Sequence, residues 1–267
     1  ELLDLFPDAV FNGDGPVTGL PDLVDFLGEA DGMILGLEKM DRSVLQQLKN
    51  LKIIAKYGVG LDNIDECAAE ELGISVRWTG GVNKRSASEQ ALCFMLGLCR
   101  NLFFSGFPLK KGQWIKDGGL LLTNKCIGII GCGKIGTDVV HLLQPFNCRI
   151  LINDLLDKSE VVDTYGVTQV SQEKLLSEAD VVSLHVPLTE LTHYMVNDEF
   201  LKKMKSSAHL INNCRGSVVN QQSLKKALQR KTIAGAALDV FESEPPADIE
   251  FLSLPNLMVT PHIGGNA

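Results

Sequence analysis

The sequence lacks the residue spacings that usually bind metal ions. Its seven cysteines include no C-x-x-C pair, and its five histidines show neither H-x-x-x-H nor H-E-x-x-H spacing. Several of the cysteines lie in apolar runs, where cysteine acts as a small hydrophobic residue. These absences argue against a zinc site, and an odd number of such cysteines favours a reduced, cytoplasmic protein.

Long apolar runs and an excess of positive charge are also missing. No run is long enough to span a bilayer, and the formal net charge of −8 disfavours nonspecific binding to nucleic acid. There is no internal repeat and no low-complexity segment. The chain has 267 residues, of which 45% are hydrophobic, as expected for a globular protein of one large or two modest domains. We therefore expect neither a membrane nor a nucleic acid as a partner.

A glycine motif organises the rest of the chain. An apolar run over 126–130, typical of a buried parallel strand, precedes Gly131, Gly133 and Gly136, and a helix is predicted over 137–143. In a G-x-G-x-x-G motif the first glycine allows a tight turn and the second lets the backbone approach a pyrophosphate. The third lets the helix pack against the strand. The motif predicts a dinucleotide site at the N-terminus of this helix.

An acidic residue supports this interpretation. Asp154 follows a second apolar run, over 148–152, and lies about 20 residues after the glycines, where a carboxylate binds the adenosine ribose. The same carboxylate would repel a 2′-phosphate, so the sequence predicts NAD rather than NADP as the cofactor. The alternative is an ordinary strand, turn and helix in which Asp154 caps a local element.

Short strands and helices alternate along the chain, which predicts an α/β fold with parallel sheets. A strand is predicted over 9–12, and a long apolar helix over 86–102 is expected to be buried and to connect two domains. The predicted domains are a substrate domain, residues 1–98, and an NAD-binding domain, residues 99–267. The polar segment over 103–123 is predicted to be a surface arm or an interdomain loop.

Residues that could carry chemistry follow the predicted strands of the second domain. Ligands of open α/β sheets bind beyond the carboxyl ends of strands, and Arg215 and His262 lie at such ends, with Glu244 in a loop. Hydride transfer at an alcohol carbon needs a base, a positive group near the developing carbonyl and a partner that tunes the base. Taken singly, each residue also has a plain explanation, as a turn arginine, a solvated glutamate and a histidine capping a strand.

Six motifs occur in a characteristic order. They are Tyr57–Asp65, the glycine motif, His185–Thr189, Leu210–Gly216, Gly235–Phe241 with Glu244-Pro245, and Thr260–Gly264. With these motifs the chain resembles the D-isomer-specific 2-hydroxyacid dehydrogenase family, and it is most similar to the 3-phosphoglycerate dehydrogenase-like branch. The resemblance implies two Rossmann-like domains, with a doubly wound parallel sheet in the cofactor domain. It also implies a flavodoxin-like substrate domain that is incomplete at both ends.

The resemblance implies an NAD-dependent enzyme that interconverts a D-2-hydroxy acid and its 2-oxo acid. Arg215 would bind the substrate carboxylate and carbonyl oxygen, His262 would be the acid and base, and Glu244 would hydrogen-bond His262 and raise its pKa. The implied cofactor positions are Gly131, Gly133, Lys134, Ile135, Gly136, Asp154, Val186, Pro187, Asn213, Cys214, Asp239, Gly264 and Gly265. The implied substrate positions are Lys56, Val59, Gly60 and Asn83.

The identity of the substrate is left open by departures from the family pattern. Gly80 replaces a usual proline, Ser88 an alanine, and Asn213 a threonine or alanine. Three cations, Lys56 and the adjacent Lys84 and Arg85, suggest a second anionic group on the substrate, as in 3-phosphoglycerate, although the latter two have an alternative as solvated residues of a helix start.

The same resemblance suggests two other functions and one mode of assembly. The chain could be an NAD(H)-binding regulator like the transcriptional corepressors of this family, or a relative that oxidises a non-carbon donor such as phosphite. The family also dimerises through its cofactor domains. A homodimer is therefore expected, with the arm over 103–123 supplying Trp114, Leu120, Leu121 and Leu122 as apolar anchors.

Overall fold

Two compact units, each built on parallel strands, make up the fold. The computed structural model describes residues 2–12 and 20–266; one unit extends to Val82 and the other begins at Asn83. The boundary predicted after residue 98 therefore differs from the structural division, which groups a long helix, Lys84–Cys99, with the second unit. This grouping has a physical reason, since Phe94, Met95 and Leu98 of that helix belong to the second unit's buried apolar core.

The first unit contains a three-stranded parallel sheet in the order β1-β2-β3. Its strands are β1 (Gly32–Leu35), β2 (Ile53–Lys56) and β3 (Ser75–Arg77). Its helices are α1 (Leu2–Leu5), α2 (Leu20–Leu27), α3 (Arg42–Leu45) and α4 (Glu66–Glu71). The strand predicted over 9–12 is wrong, because these residues form no regular structure. The core of the unit contains Leu35, Met40 and Ile54, each 0% exposed.

The second unit contains seven parallel strands in the order β10-β9-β8-β7-β4-β5-β6. The strands are β4 (Cys126–Ile130), β5 (Arg149–Asn153), β6 (Thr168–Gln169), β7 (Val181–Leu184), β8 (His209–Asn212), β9 (Gly235–Leu238) and β10 (Leu257–Val259). The helices are α5 (Lys84–Cys99), α6 (Leu102–Lys110), α7 (Lys134–Leu143), α8 (Ser159–Tyr165), α9 (Gln172–Glu178), α10 (Asp198–Lys203), α11 (Gln221–Gln229) and α12 (Ile249–Leu252). The strand order reverses direction between β4 and β7, which is the point where a doubly wound sheet opens a crevice for a ligand.

Apolar clusters cover both faces of this second sheet. One cluster packs the sheet against α9, α10 and α11, and the other packs it against α5 and α7. Every residue of β4, β7 and β9 is buried. Burial on both faces is what a parallel sheet requires, and it explains the nearly continuous apolar runs in the sequence.

The segment predicted to be a polar arm or loop is only partly irregular. Its first residues, 103–110, belong to helix α6. This helix begins after Asn101, a residue with a left-handed backbone (φ 50°). The helix predicted over 86–102 extends past the observed end of α5 at Cys99, because Asn101 separates α5 from α6, and residues 103–110 of the predicted arm or loop are helical. In the described part of the chain no single helix is long and apolar enough to cross a membrane. The pair α5 and α6, bent by 68°, passes that test only when joined.

Candidate active site

The three glycines of the motif have different surroundings. Gly131 has a φ of +87°, and a Cβ there would lie 2.5 Å from the His185 carbonyl oxygen. A Cβ on Gly136 would lie 2.1 Å from the Gly131 carbonyl oxygen, whereas one on Gly133 would meet no atom within 4 Å. The first and third glycines are thus required by the protein itself. The second leaves open space at the start of α7, where a pyrophosphate would approach the backbone N–H groups of the first helical turn.

Asp154 lies beside this glycine loop. Its Oδ2 accepts a hydrogen bond from the Cys132 N–H at 2.7 Å, and its Oδ1 accepts one from the Leu156 N–H at 2.9 Å. The carboxylate is 14% exposed. An acid fixed at the end of β5, next to the glycines, is the arrangement that binds a ribose diol. Together with the open space at Gly133, it fits NAD.

Val186 and Pro187 follow the end of β7, on the other side of the switch point. The Val186 side chain reaches within 2.8 Å of where a Cβ on Gly131 would stand. The preceding His185 is held by its backbone N–H, which donates to the Ile130 carbonyl at 2.8 Å, and its Nε2 lies 2.9 Å from the Ser183 hydroxyl. Burial lowers the pKa of His185 to about 4, so this imidazole is neutral and supports the loop.

The loop after β8 carries Cys214 and Arg215. The Asn212 side chain accepts from the Cys214 N–H at 3.1 Å and donates to the Arg215 carbonyl at 2.9 Å, which fixes the turn. A Cβ on Gly216 would lie 1.8 Å from the Phe241 carbonyl oxygen, so only glycine lets this loop pack against the loop that carries Glu244. The guanidinium of Arg215 donates to the Cys214 carbonyl at 2.6 Å.

His262 and Glu244 form a close pair. The distance between His262 Nδ1 and Glu244 Oε2 is 2.6 Å, and Glu244 Oε1 accepts from the Phe241 N–H at 3.0 Å. The hydrogen bond to Glu244 raises the pKa of His262 above its usual value, although partial burial opposes this. Burial also opposes ionisation of Glu244, but the bonds from His262 and Phe241 outweigh it and lower the pKa of the carboxyl. The pairing thus favours an ionised glutamate and keeps the imidazole protonated to a higher pH than that of an isolated histidine.

The loop that carries His262 is organised by Asp239. This carboxylate is 1% exposed and accepts from the Thr260 hydroxyl at 2.5 Å, the Ile263 N–H at 2.9 Å and the Gly264 N–H at 2.8 Å. His262 itself has a left-handed backbone, with a φ of 54°. A non-glycine residue in that region is strained, and such strain is found at functional sites whose surroundings enforce it.

Helix α5 supplies contacts that sequence reasoning missed. Gln90 donates to the Thr260 hydroxyl at 3.2 Å, and the Ser86 hydroxyl donates to the Gly264 carbonyl at 2.7 Å. The Asn213 amide donates to the Ala87 carbonyl at 2.8 Å. No spacing in the sequence could have indicated these contacts, because the partners lie more than a hundred residues apart.

Asn83 also lies beside the glycines that follow His262. Its Nδ2 would be 2.7 Å from a Cβ on Gly265, so a side chain at that position would have to displace the Asn83 amide. The side-chain oxygens of Asn83 and Asn213 are buried and have no hydrogen-bond partner within the described residues. Both therefore present an acceptor to a donor from outside the protein, as a bound carboxamide or an ordered water would supply.

The remaining predicted substrate residues belong to the first unit. Lys56 ends β2 and donates to the Gly36 carbonyl, and Val59 and Gly60 lie in the loop that follows. In the second unit Arg85 forms an ion pair with Asp138 at 2.9 Å. One of the three cations proposed to bind a second anionic group is therefore engaged by α7.

A doubly wound parallel sheet with a glycine loop and an acid at the switch point defines a dinucleotide-binding protein of the oxidoreductase class. The model of the family described as "D-isomer specific 2-hydroxyacid dehydrogenase, NAD binding domain" matches residues 92–264. The chain belongs to this family and is an NAD-dependent D-2-hydroxyacid dehydrogenase. The predictions of family, fold class, enzyme class and cofactor are confirmed.

Similar proteins cover most of the chain. A glyoxylate reductase of Thermococcus litoralis is 38% identical over 252 residues, 91% of this chain and 76% of that protein. A hydroxypyruvate reductase of Thermotoga maritima is 36% identical over 92% of this chain and 81% of its own. The structure of a D-lactate dehydrogenase from Aquifex aeolicus, complexed with NAD and lactic acid, superposes with a TM-score of 0.87 at 28% identity, covering 99% of this chain and 85% of that one. D-3-phosphoglycerate dehydrogenases are also among its relatives.

Proposed function

We propose that this chain reduces a small 2-oxo acid of the glyoxylate or hydroxypyruvate type to the 2-hydroxy acid, reversibly and with NADH. The observation that carries the proposal is the 2.6 Å contact between His262 and Glu244, in a unit that also packs the Arg215 loop against the Glu244 loop. The names of the two relatives above support the substrate type. The cofactor, when bound, supplies the hydride.

His262 is proposed to move the proton that accompanies the hydride. Its Nδ1 is engaged by Glu244, so Nε2 is the atom that would give a proton to the carbonyl oxygen during reduction and take one from the hydroxyl during oxidation. The raised pKa keeps the imidazole protonated to a higher pH than an isolated histidine. Glu244 compensates the positive charge and fixes the orientation of the ring.

Arg215 is proposed to bind the substrate carboxylate and to polarise the carbonyl. A guanidinium offers several donors in a planar fork, which suits a carboxylate. Negative charge that develops on the carbonyl oxygen during hydride transfer would be stabilised by this fixed cation. Asn83, and the backbone N–H groups of Val59 and Gly60 in the first unit, remain the predicted additional contacts to the substrate.

Cys214 is not proposed to act as a nucleophile, although it adjoins Arg215. Burial raises the pKa of its thiol to about 11, and its Sγ lies 3.0 Å from the Asn212 side-chain oxygen. A thiol with such a pKa contains almost no thiolate at neutral pH, and the thiolate is the reactive form. The chemistry is therefore proton and hydride transfer without a covalent intermediate on this residue.

A panel of 2-oxo acids tests the proposal. Glyoxylate, hydroxypyruvate, pyruvate, phosphohydroxypyruvate and 2-oxoglutarate would be compared by the consumption of NADH. We expect the highest kcat/KM with glyoxylate or hydroxypyruvate, which carry no second anionic group. Arg85, one of the cations that could bind such a group, is instead paired with Asp138. A clear preference for phosphohydroxypyruvate would instead support a second anionic group. NADH binding with no turnover of any acid would favour the regulator.

We also propose a homodimer formed through the cofactor domain. Phe107, Trp114 and Leu121 are exposed, Trp114 by 76%, and large apolar side chains of this kind are enriched in the cores of interfaces. The seven cysteines are free thiols, which accords with the cytoplasmic location inferred from the sequence. Sedimentation at micromolar concentration should give a dimer, and replacing Trp114 and Leu121 by aspartate should give a monomer. A monomeric parent protein would contradict the proposal.

A further inference from the structure

A glutamine of α5 joins the two loops that carry Arg215 and His262. Gln90 Nε2 donates to the Thr260 hydroxyl oxygen at 3.2 Å, and Gln90 Oε1 accepts from the Asn213 amide at 3.3 Å. Thr260 precedes His262 by two residues, and Asn213 precedes Arg215 by two. One amide side chain therefore contacts the segments that place both groups proposed to carry the chemistry.

The hydrogen bonds of this network have fixed directions. The Thr260 hydroxyl donates its proton to Asp239 at 2.5 Å, so its oxygen accepts from Gln90. One proton of the Asn213 amide goes to the Ala87 carbonyl at 2.8 Å, which leaves the other for Gln90 Oε1. A glutamine suits this position because its amide donates and accepts at once, which an apolar residue of similar length cannot do.

The loop around His262 depends on contacts of this kind. The backbone of His262 is left-handed, with a φ of 54°, which is unfavourable for a residue with a side chain. The His262 N–H donates to the Asp239 carbonyl at 2.8 Å. Nearby, a Cβ on Gly264 would lie 2.4 Å from Gln90 Oε1. Gln90 thus packs directly against the loop from the side of α5.

The pairing of His262 with Glu244 requires this placement of the loop. The two side chains are 2.6 Å apart, and their hydrogen bond is the largest cause of the raised pKa of His262. The charge of Asp239 also raises this pKa, and the charge of Arg215 lowers it. Because a hydrogen bond needs a short distance and good alignment, a displaced loop would let the pKa of the imidazole fall towards that of an isolated histidine.

We propose that Gln90 is a positioning residue for proton transfer, which acts through Thr260 on the placement of His262. Through Asn213 the same amide joins the His262 loop to the loop that carries Arg215. The inference rests on the proposed acid and base role of His262. The pKa of His262 can be measured without turnover, however, so the two proposals can fail separately.

A matched pair of glutamine substitutions tests the proposal. The pKa of His262 would be measured by NMR titration of the imidazole, and the kcat of glyoxylate reduction would be followed across pH. Gln90→Met removes both hydrogen bonds at similar side-chain length. Gln229→Met is the control, because it makes the same change on α11, where the amide donates to Glu250 at 3.2 Å.

We expect Gln90→Met to lower the pKa of His262 and to move the loss of the reduction rate to lower pH. It should lower kcat about fivefold, the effect of one hydrogen bond, and leave NADH affinity within about twofold. Gln229→Met should match the parent protein in all three measurements.

The route through Thr260 is tested by a second set of variants. Thr260→Val, which lacks the hydroxyl, should lower the pKa of His262, and Thr260→Ser, which retains it, should not. Since residues that act through one contact are not additive, Gln90→Met combined with Thr260→Val should resemble Thr260→Val alone.

Two results would overturn the proposal. An unchanged pKa of His262 in Gln90→Met, with or without a lower Tm, would mean that the glutamine at most stabilises the fold. Additive pKa changes in the double variant would mean that Gln90 does not act through Thr260. A lower pKa of His262 with no loss of reduction rate would support the positioning by Gln90 and would contradict the role proposed for His262.

Discussion

The two units contain the same kind of parallel sheet but cover it differently. In the second unit β4, β7 and β9 are buried at every residue. In the first unit Ile34 of β1 is 56% exposed and Ile53 of β2 is 41% exposed. A parallel sheet is normally covered on both faces, and the described residues of the first unit leave these two isoleucines uncovered. A site that needs fixed distances is better placed in the second unit.

The two units also differ in how hydrogen bonds fix the loops that carry the predicted site residues. In the second unit the His262 loop is fixed by hydrogen bonds from three partners to the buried Asp239 and by contacts with α5. The first unit contributes a glycine loop after β2, in which Gly58 has a φ of +112°. We therefore expect changes in the second unit to affect cofactor binding and kcat. Changes in the first should affect the KM for the oxo acid.

The largest effects are expected from the proposed catalytic residues. His262→Ala should remove proton transfer and Arg215→Ala should remove polarisation of the carbonyl, so each should lower kcat by a factor of about 100 or more. NADH affinity, followed by fluorescence, should change little. The controls are His141→Ala and Arg230→Ala, which change exposed residues of the same unit and should retain activity. Full activity in either catalytic variant would exclude the assigned role.

A matched pair of glycine substitutions separates folding from cofactor binding. Gly136→Ala would place a Cβ 2.1 Å from the Gly131 carbonyl oxygen, so we expect it to cost about 1–3 kcal/mol of stability and to lower the Tm. Gly133→Ala meets no protein atom within 4 Å, so the Tm should stay the same. Its methyl group should nevertheless weaken NADH binding, because it fills the space left for a pyrophosphate. If both variants behaved alike, the distinction between these glycines would be lost.

The first unit is tested by a smaller change. Gly58→Ala introduces a side chain at a positive φ in open space, which strains the backbone by roughly 1 kcal/mol and should shift the loop that follows β2. We expect a several-fold rise in the KM for the oxo acid with unchanged NADH affinity. Gly166→Ala is the control, since Gly166 also has a positive φ in open space but ends α8 in the second unit. A lower affinity for NADH in Gly58→Ala would contradict the division of roles.

The sequence predicts the second unit better than the contacts that hold its site. The buried strand predicted over 126–130 is β4, and the glycine motif lies between this strand and helix α7 as expected, because local apolar patterns and glycine spacing determine these features. Gln90 and Thr260 could not be paired in advance, since α5 meets the His262 loop only in the folded chain.

The most direct test of the account is the pH dependence of glyoxylate reduction in the parent protein and in Glu244→Gln. Reduction requires protonated His262, so the rate is present below the pKa of His262 and is lost as the pH rises through it. Glu244 raises that pKa, so Glu244→Gln should move the loss of rate to lower pH, and the rise of the oxidation rate should move to lower pH with it. An unchanged pH profile in Glu244→Gln would contradict the pairing of these two residues as the centre of proton transfer.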